Sequence, residues 1–137
     1  MSTSTPHRNL WPDDIAVSSV VPPVAILREQ ATALANKTRG LIQGEVRQLV
    51  PSPDIRAAAP FNYAFRIVAP ALGNYRYDLL SVYHDHHLYP LKVTYHPTGQ
   101  DYQAESEDGF LDALRACFST EETKRIISAL LAQVETE

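Results

Sequence analysis

Between residues 61 and 67 four bulky apolar side chains, Phe61, Tyr63, Phe65 and Ile67, alternate with Asn62, Ala64 and Arg66. A period of two puts alternate side chains on opposite faces of an extended chain, so this segment reads as a strand with one face in a core. A strand of this kind cannot stand alone, because it leaves backbone donors and acceptors unpaired and one apolar face uncovered. The flanking sequence must therefore supply further strands and a covering layer.

Upstream, Ile42, Val46 and Val50 share one parity while Gln43, Glu45 and Arg47 share the other, which reads as a strand over 41–50. Leu41, Glu45 and Gln48 also fit a helical period, so continued helix is the competing reading there. Pro51-Ser52-Pro53-Asp54 breaks this segment, and the Ala-rich stretch to Pro60 reads as a surface loop. Downstream, Leu72-Gly73-Asn74 has turn chemistry, and Tyr75–His84 and Leu88–His96 are two more runs rich in aromatic and aliphatic residues. A two-residue loop at Asp85-His86 would set Val82 opposite Tyr89, Leu80 opposite Leu91 and His84 opposite His87. Pro90 cannot donate to a ladder, so the last strand is expected at an edge or with a bulge, ending at Pro97-Thr98-Gly99.

Helical periodicity lies on both sides of this block. Pro22 and Pro23 suit a helix start, and Leu27, Ala31, Leu34, Ala35 and Thr38 follow at spacings of three and four, predicting a helix over 23–38 that stops at Gly40. Ser106 can cap a helix bearing Phe110, Leu111, Leu114, Cys117 and Phe118. Ser119 and Glu122 have the spacing of a capping box for a second helix, with Ile126, Ile127, Leu130, Leu131 and Val134 on one face and an i,i+4 pair between Glu121 and Arg125. The expected architecture is a single α+β domain over 22–137, a four-stranded antiparallel meander in the order α-β-β-β-β-α-α, preceded by a flexible arm over 1–21. That arm carries Trp11-Pro12-Asp13-Asp14, and a ring as large as Trp11 in a polar tail could dock on the domain or on a partner.

Composition narrows the function classes. With 137 residues, 45% hydrophobic and 20% charged, the chain can build one real core. A net charge of -4 gives no general attraction to phosphate or anionic lipid, so nucleic acid and membrane surfaces are poor partners. Nine of the sixteen acidic residues lie beyond residue 100. The stretch Ile15–Leu27 is apolar but interrupted by Pro22 and Pro23 and preceded by Asp13 and Asp14, the wrong charge for a signal peptide. The lone Cys117 excludes an intrachain disulfide and a multi-cysteine zinc site. Cytoplasm is the expected compartment.

Three features could carry function. His84, His86 and His87, with Asp85 between them and His96 further on, offer imidazole and carboxylate ligands for a divalent ion such as zinc. Tyr75, Tyr77 and Tyr83 share a parity, and with Lys92, Thr94 and His96 on the neighbouring strand they would form an aromatic, cationic face suited to a protein partner. The C-terminal helix has a continuous apolar strip that could pack internally or pair with a second copy, as could an edge strand. Cys117 falls on the apolar face of its helix and reads as a buried structural thiol. Asp78, Asp85, Glu105 and Asp108 could serve as paired carboxylates, but no spacing brings two of them together. No GxSxG, P-loop, GxGxxG, CxxC or HExxH motif occurs. The expectation is a non-enzymatic protein-interaction module, an inhibitor, immunity-type or assembly factor. The alternative is a metal-dependent enzyme or metal sensor using the histidine-rich hairpin 84–96.

Overall fold

A computed structural model describes residues 8–15, 20–50 and 59–136. The loop expected at 51–58, and part of the arm expected over 1–21, lie outside the described residues. Helix α1 (Pro23–Lys37) leads into strands β1 (Gln43–Leu49), β2 (Phe61–Ala69), β3 (Tyr75–His84), β4 (Leu91–Tyr95) and β5 (Gln100–Ala104). Helices α2 (Glu107–Phe118) and α3 (Glu121–Thr136) follow. The strands form one antiparallel sheet in the order β1-β2-β3-β4-β5, a meander in which each strand pairs with the next in sequence. The α+β single domain is thus as expected, with one strand more than the four read from sequence.

The local signals act where the sequence puts them. Pro22 is extended (φ -75°, ψ 158°) and Pro23 opens α1, while Gly40, at φ +80°, donates to the Ala35 carbonyl and ends the turn after the helix. Thr38 ties the two elements together: its hydroxyl donates to the Ile42 carbonyl at 2.7 Å and accepts from the Ile42 N–H at 3.1 Å. Ser106 caps α2 by accepting from the Gly109 N–H. At α3 the expectation fails by one residue. Thr120, rather than Ser119, accepts from the Thr123 N–H at 3.0 Å, because Ser119 still closes α2. The exposed charges pair as Glu121–Lys124 and Glu122–Arg125, one residue closer than the expected Glu121–Arg125.

One face of the sheet is covered. Phe65, Ile67, Leu80, Val82, Val93 and Tyr95 point into a core closed by Ile26 and Leu27 of α1 and by Phe110, Leu114 and Cys117 of α2. Gly44 permits a close approach of helix to sheet, since a Cβ there would stand 2.6 Å from the Ala31 Cα and 3.0 Å from the Phe65 ring. The other face carries an ion-pair ladder in which Glu45 meets Arg66 and Arg76, and Arg66 meets Asp78 at 2.6 Å.

Two register features correct the sequence reading. Phe65 pairs with Leu80 but Arg66 pairs with Asp78, so Leu79 is an extra residue in β3 and the strand bulges there. In the β3–β4 hairpin His84 lies opposite Leu91 and Val82 opposite Val93, so the loop spans 85–90 instead of Asp85-His86 alone. The inward parity survives because the slip is an even number of residues. Pro90, joined to Tyr89 by a cis peptide bond, precedes β4, which is an interior strand because β5 pairs along its far side. β5 escaped notice because Gln100, Asp101 and Gln103 are polar and only Tyr102 and Ala104 face the core.

Candidate functional site

The five-residue register and the bulge decide which side chains meet. Tyr83 pairs across the ladder with Lys92, whose ammonium sits 5.2 Å from the ring centroid on the open face of the sheet. Tyr75 and Tyr77 lie beyond the bulge and turn to the helical side, where they line a shallow depression with Leu72, Ile126 and Leu130. The stripe expected from shared parity is therefore divided between the two faces. Burial raises the Tyr77 hydroxyl pKa, with Tyr95 and Glu122 adding to the effect, so the ring presents a neutral phenol.

The histidines are divided in the same way. His84 is buried on the helical side, with its ring stacked 5.4 Å from Phe61 and 5.8 Å from Tyr63, and its Nδ1 bonds to the Asp85 carbonyl at 2.7 Å. Its Nε2, like the Tyr89 hydroxyl, is buried and has no hydrogen-bond partner among the described residues. His96 sits at the far end of β4 and bonds Ser81 through Nε2 at 2.8 Å. The expected opposition of His84 and His87 does not form, because the loop is longer than two residues. What the turn does assemble is Asp85, His86 and His87, whose ligating atoms all lie within 4.8 Å of one another, with the two imidazole centroids 4.0 Å apart. The His87 backbone N–H bonds Asp85 Oδ1 at 2.8 Å and lowers the carboxyl pKa, so the group stays an anion.

A further concavity lies elsewhere, and no sequence motif marks it. α1 packs mainly on β1 and α2 on β5, leaving a cleft of about 550 Å³ between α1 and α3. Its floor is the buried side chains of Phe65, Ile67 and Leu79, the last turned to this side of the sheet by the bulge. One wall is Ala33 and Leu34 of α1, and the other is Phe118, Ile127 and Leu131. Lys37 and Lys124 stand at its rim with Gln30 and Ser128. Ile127, Leu131 and Leu34 are half-buried, so apolar surface lines an accessible groove. Its volume falls in the range of about 300–1,000 Å³ typical of ligand sites. The cue available in sequence was the apolar strip of α3; the gap beside it depends on helix spacing.

Cys117 is fully buried, and burial pushes its thiol pKa up to about 11. Such a thiol is a poor nucleophile. Asp78 pairs with Arg66 and Asp85 with the turn, so neither belongs to a carboxylate pair. No helix among the described residues is long and apolar enough to cross a membrane. No family model, curated protein or solved structure matches the chain. Fold and geometry are therefore the basis for a functional reading.

Proposed function

We propose that this chain is a non-enzymatic protein-interaction module of the cytoplasm, of the inhibitor, immunity or assembly-factor kind, and that its docking surface is the cleft between α1 and α3. The observation that carries this reading is an accessible apolar groove, walled by two helices, with lysines at its rim. Its occupant is a short apolar segment of a partner protein, flanked by carboxylates that meet Lys37 and Lys124. Lys37 makes no ion pair among the described residues, and Lys124 has only an exposed one with Glu121. Pockets that accept two or three anchoring side chains supply most of the energy of such contacts, while rim charges steer and orient.

A photocrosslinking residue placed at Ser128, expressed in the native cells, tests this. Crosslinks to one apolar, acid-flanked segment of another protein, lost when Leu131→Asp is added, are the expected result. Crosslinks that are absent or spread over unrelated proteins would refute the reading.

The Asp85-His86-His87 turn favours a second reading, metal sensing, since two imidazoles and a carboxylate already lie within ligating reach of one ion. Untagged protein should then retain a divalent ion that is lost in the His86→Ala, His87→Ala double variant. Retention of the same metal by that variant would remove this turn as the site.

A further inference from the structure

The turn that gathers Asp85, His86 and His87 also borders a concavity on the open side of the sheet. His84 is buried on the helical side, and its two neighbours, Tyr83 and Asp85, line a depression of about 500 Å³ at the hairpin end. Tyr83, Lys92 and Gln103 stand abreast on three adjacent strands and line it with Ala59 and Pro90. Lys92 makes no ion pair among the described residues, and its contact is the Tyr83 ring. The acidic residue on the facing strand, Asp101, accepts from the Thr94 hydroxyl at 2.7 Å and leaves Lys92 unneutralised. Asp85 thus belongs both to the cluster whose ligating atoms lie within 4.8 Å of one another and to the lining of this depression.

Hydrogen bonds preorganise the turn. The Asp85 carbonyl accepts from the Leu88 N–H at 3.1 Å and from His84 Nδ1 at 2.7 Å, and the His84 ring is itself fixed by stacking on Phe61 and Tyr63. Asp85 Oδ1 accepts from the His87 N–H, leaving the other carboxylate oxygen without a bond among the described residues. An ion held by one carboxylate and two neutral imidazoles keeps a net positive charge, and three protein ligands leave a coordination position open. The group that suits such a position beside an unpaired lysine is an oxyanion. We propose that the Asp85-His86-His87 turn with its ion, together with the depression beside it, binds a small molecule bearing a carboxylate or phosphate. The oxyanion bridges the ion and Lys92, Gln103 adds a neutral donor, and the body of the molecule lies against Tyr83, Ala59 and Pro90. This rests on the reading of the turn as a metal site and goes beyond it by naming what the ion recognises. A small molecule fits because the surface is concave and its volume falls within the range of ligand sites.

Divalent cobalt serves as the probe ion, since its visible absorption follows the ligands around it. Untagged full-length protein loaded with cobalt is titrated with phenyl phosphate and, separately, with benzoate. The expected result is a saturable change in the cobalt absorption, and the anion that binds more tightly names the head group. At saturating cobalt, Lys92→Gln, a change at an exposed position, should weaken that anion about tenfold through the loss of a charge-assisted hydrogen bond. The His86→Ala, His87→Ala variant should lose the response altogether. A cobalt spectrum that forms but is moved by neither anion, an anion affinity that is the same with and without cobalt, or full affinity in Lys92→Gln would each overturn the proposal and leave the metal reading standing. Failure of the protein to take up cobalt would overturn both.

Discussion

The two halves of the covered sheet face are built from similar residues and finished differently. Over β4 and β5, α2 lies flat and its apolar side chains are sealed: Phe110 and Cys117 have no exposed area and Leu114 only 2%. The junction into α3 is locked by Tyr95, whose hydroxyl bonds both Thr120 and Thr123, while Thr123 donates onward to the Cys117 carbonyl at 2.8 Å. Over β2, α1 and α3 stand apart; the floor of the gap, Phe65 and Leu79, is buried, but Leu34, Ile127 and Leu131 of its walls are only half-buried. The sealed half secures the fold, and the open half keeps apolar surface accessible. Function is to be sought where burial is incomplete in spite of apolar walls.

Substitutions should expose this difference, beginning with the largest effect. Phe110→Ala in the sealed half should cost about 3–5 kcal/mol in chemical denaturation, because neighbours on all sides prevent collapse. A loss under about 1 kcal/mol would mean that α2 is no more tightly packed than α3. The pH dependence comes next. The Cys117 thiol ionises near 11 in the folded chain but near 9.0 in the unfolded one, so above pH 9 the unfolded state sheds the proton first. Stability should therefore fall from about pH 9 to 11, by at most about 3 kcal/mol, and Cys117→Ala should flatten that part of the profile.

Gly44→Ala probes the point where α1 touches the sheet. With the Ala31 backbone in the way, it should cost about 1–3 kcal/mol and shift α1 toward or away from the cleft. Tyr95→Phe should cost about 1–2 kcal/mol by leaving buried Thr123 with a weaker network, measured as a lower thermal midpoint. The smallest change in stability is expected from Ile127→Ala, about 1 kcal/mol or less, since its side chain is already half in solvent. The same substitution should nonetheless abolish crosslinking through Ser128. If Ile127→Ala destabilised the chain as much as Phe110→Ala, the contrast between the two halves would not hold.

Much of the fold was legible because its causes are local. The alternation through Phe61–Ile67, the prolines before α1, Gly40 after it and Ser106 before α2 each act within a few residues, and each does in the structure what it does in a peptide. β5 was missed because a polar edge strand leaves only two inward side chains as a signal, Tyr102 and Ala104. The candidate sites were less legible. The tyrosine stripe assumed an unbroken period of two, which the extra residue at Leu79 interrupts. The opposition of His84 and His87 assumed a two-residue loop, and Pro90 holds the chain out of the ladder until Leu91.

What the sequence by itself determined is the order and kind of elements, the inward-facing set of most strands and the capping of the helices. Periodicity, proline, glycine and short polar side chains act over single turns of chain. Only the tertiary structure decided which side chains meet across strands, that His84 lies buried between aromatic rings while Asp85, His86 and His87 cluster outside, and that α1 and α3 leave a groove between them. Those outcomes depend on register, a bulge and the spacing of helices far apart in sequence. Such distances are fixed by the balance of packing over the whole sheet, to which no single segment holds the key.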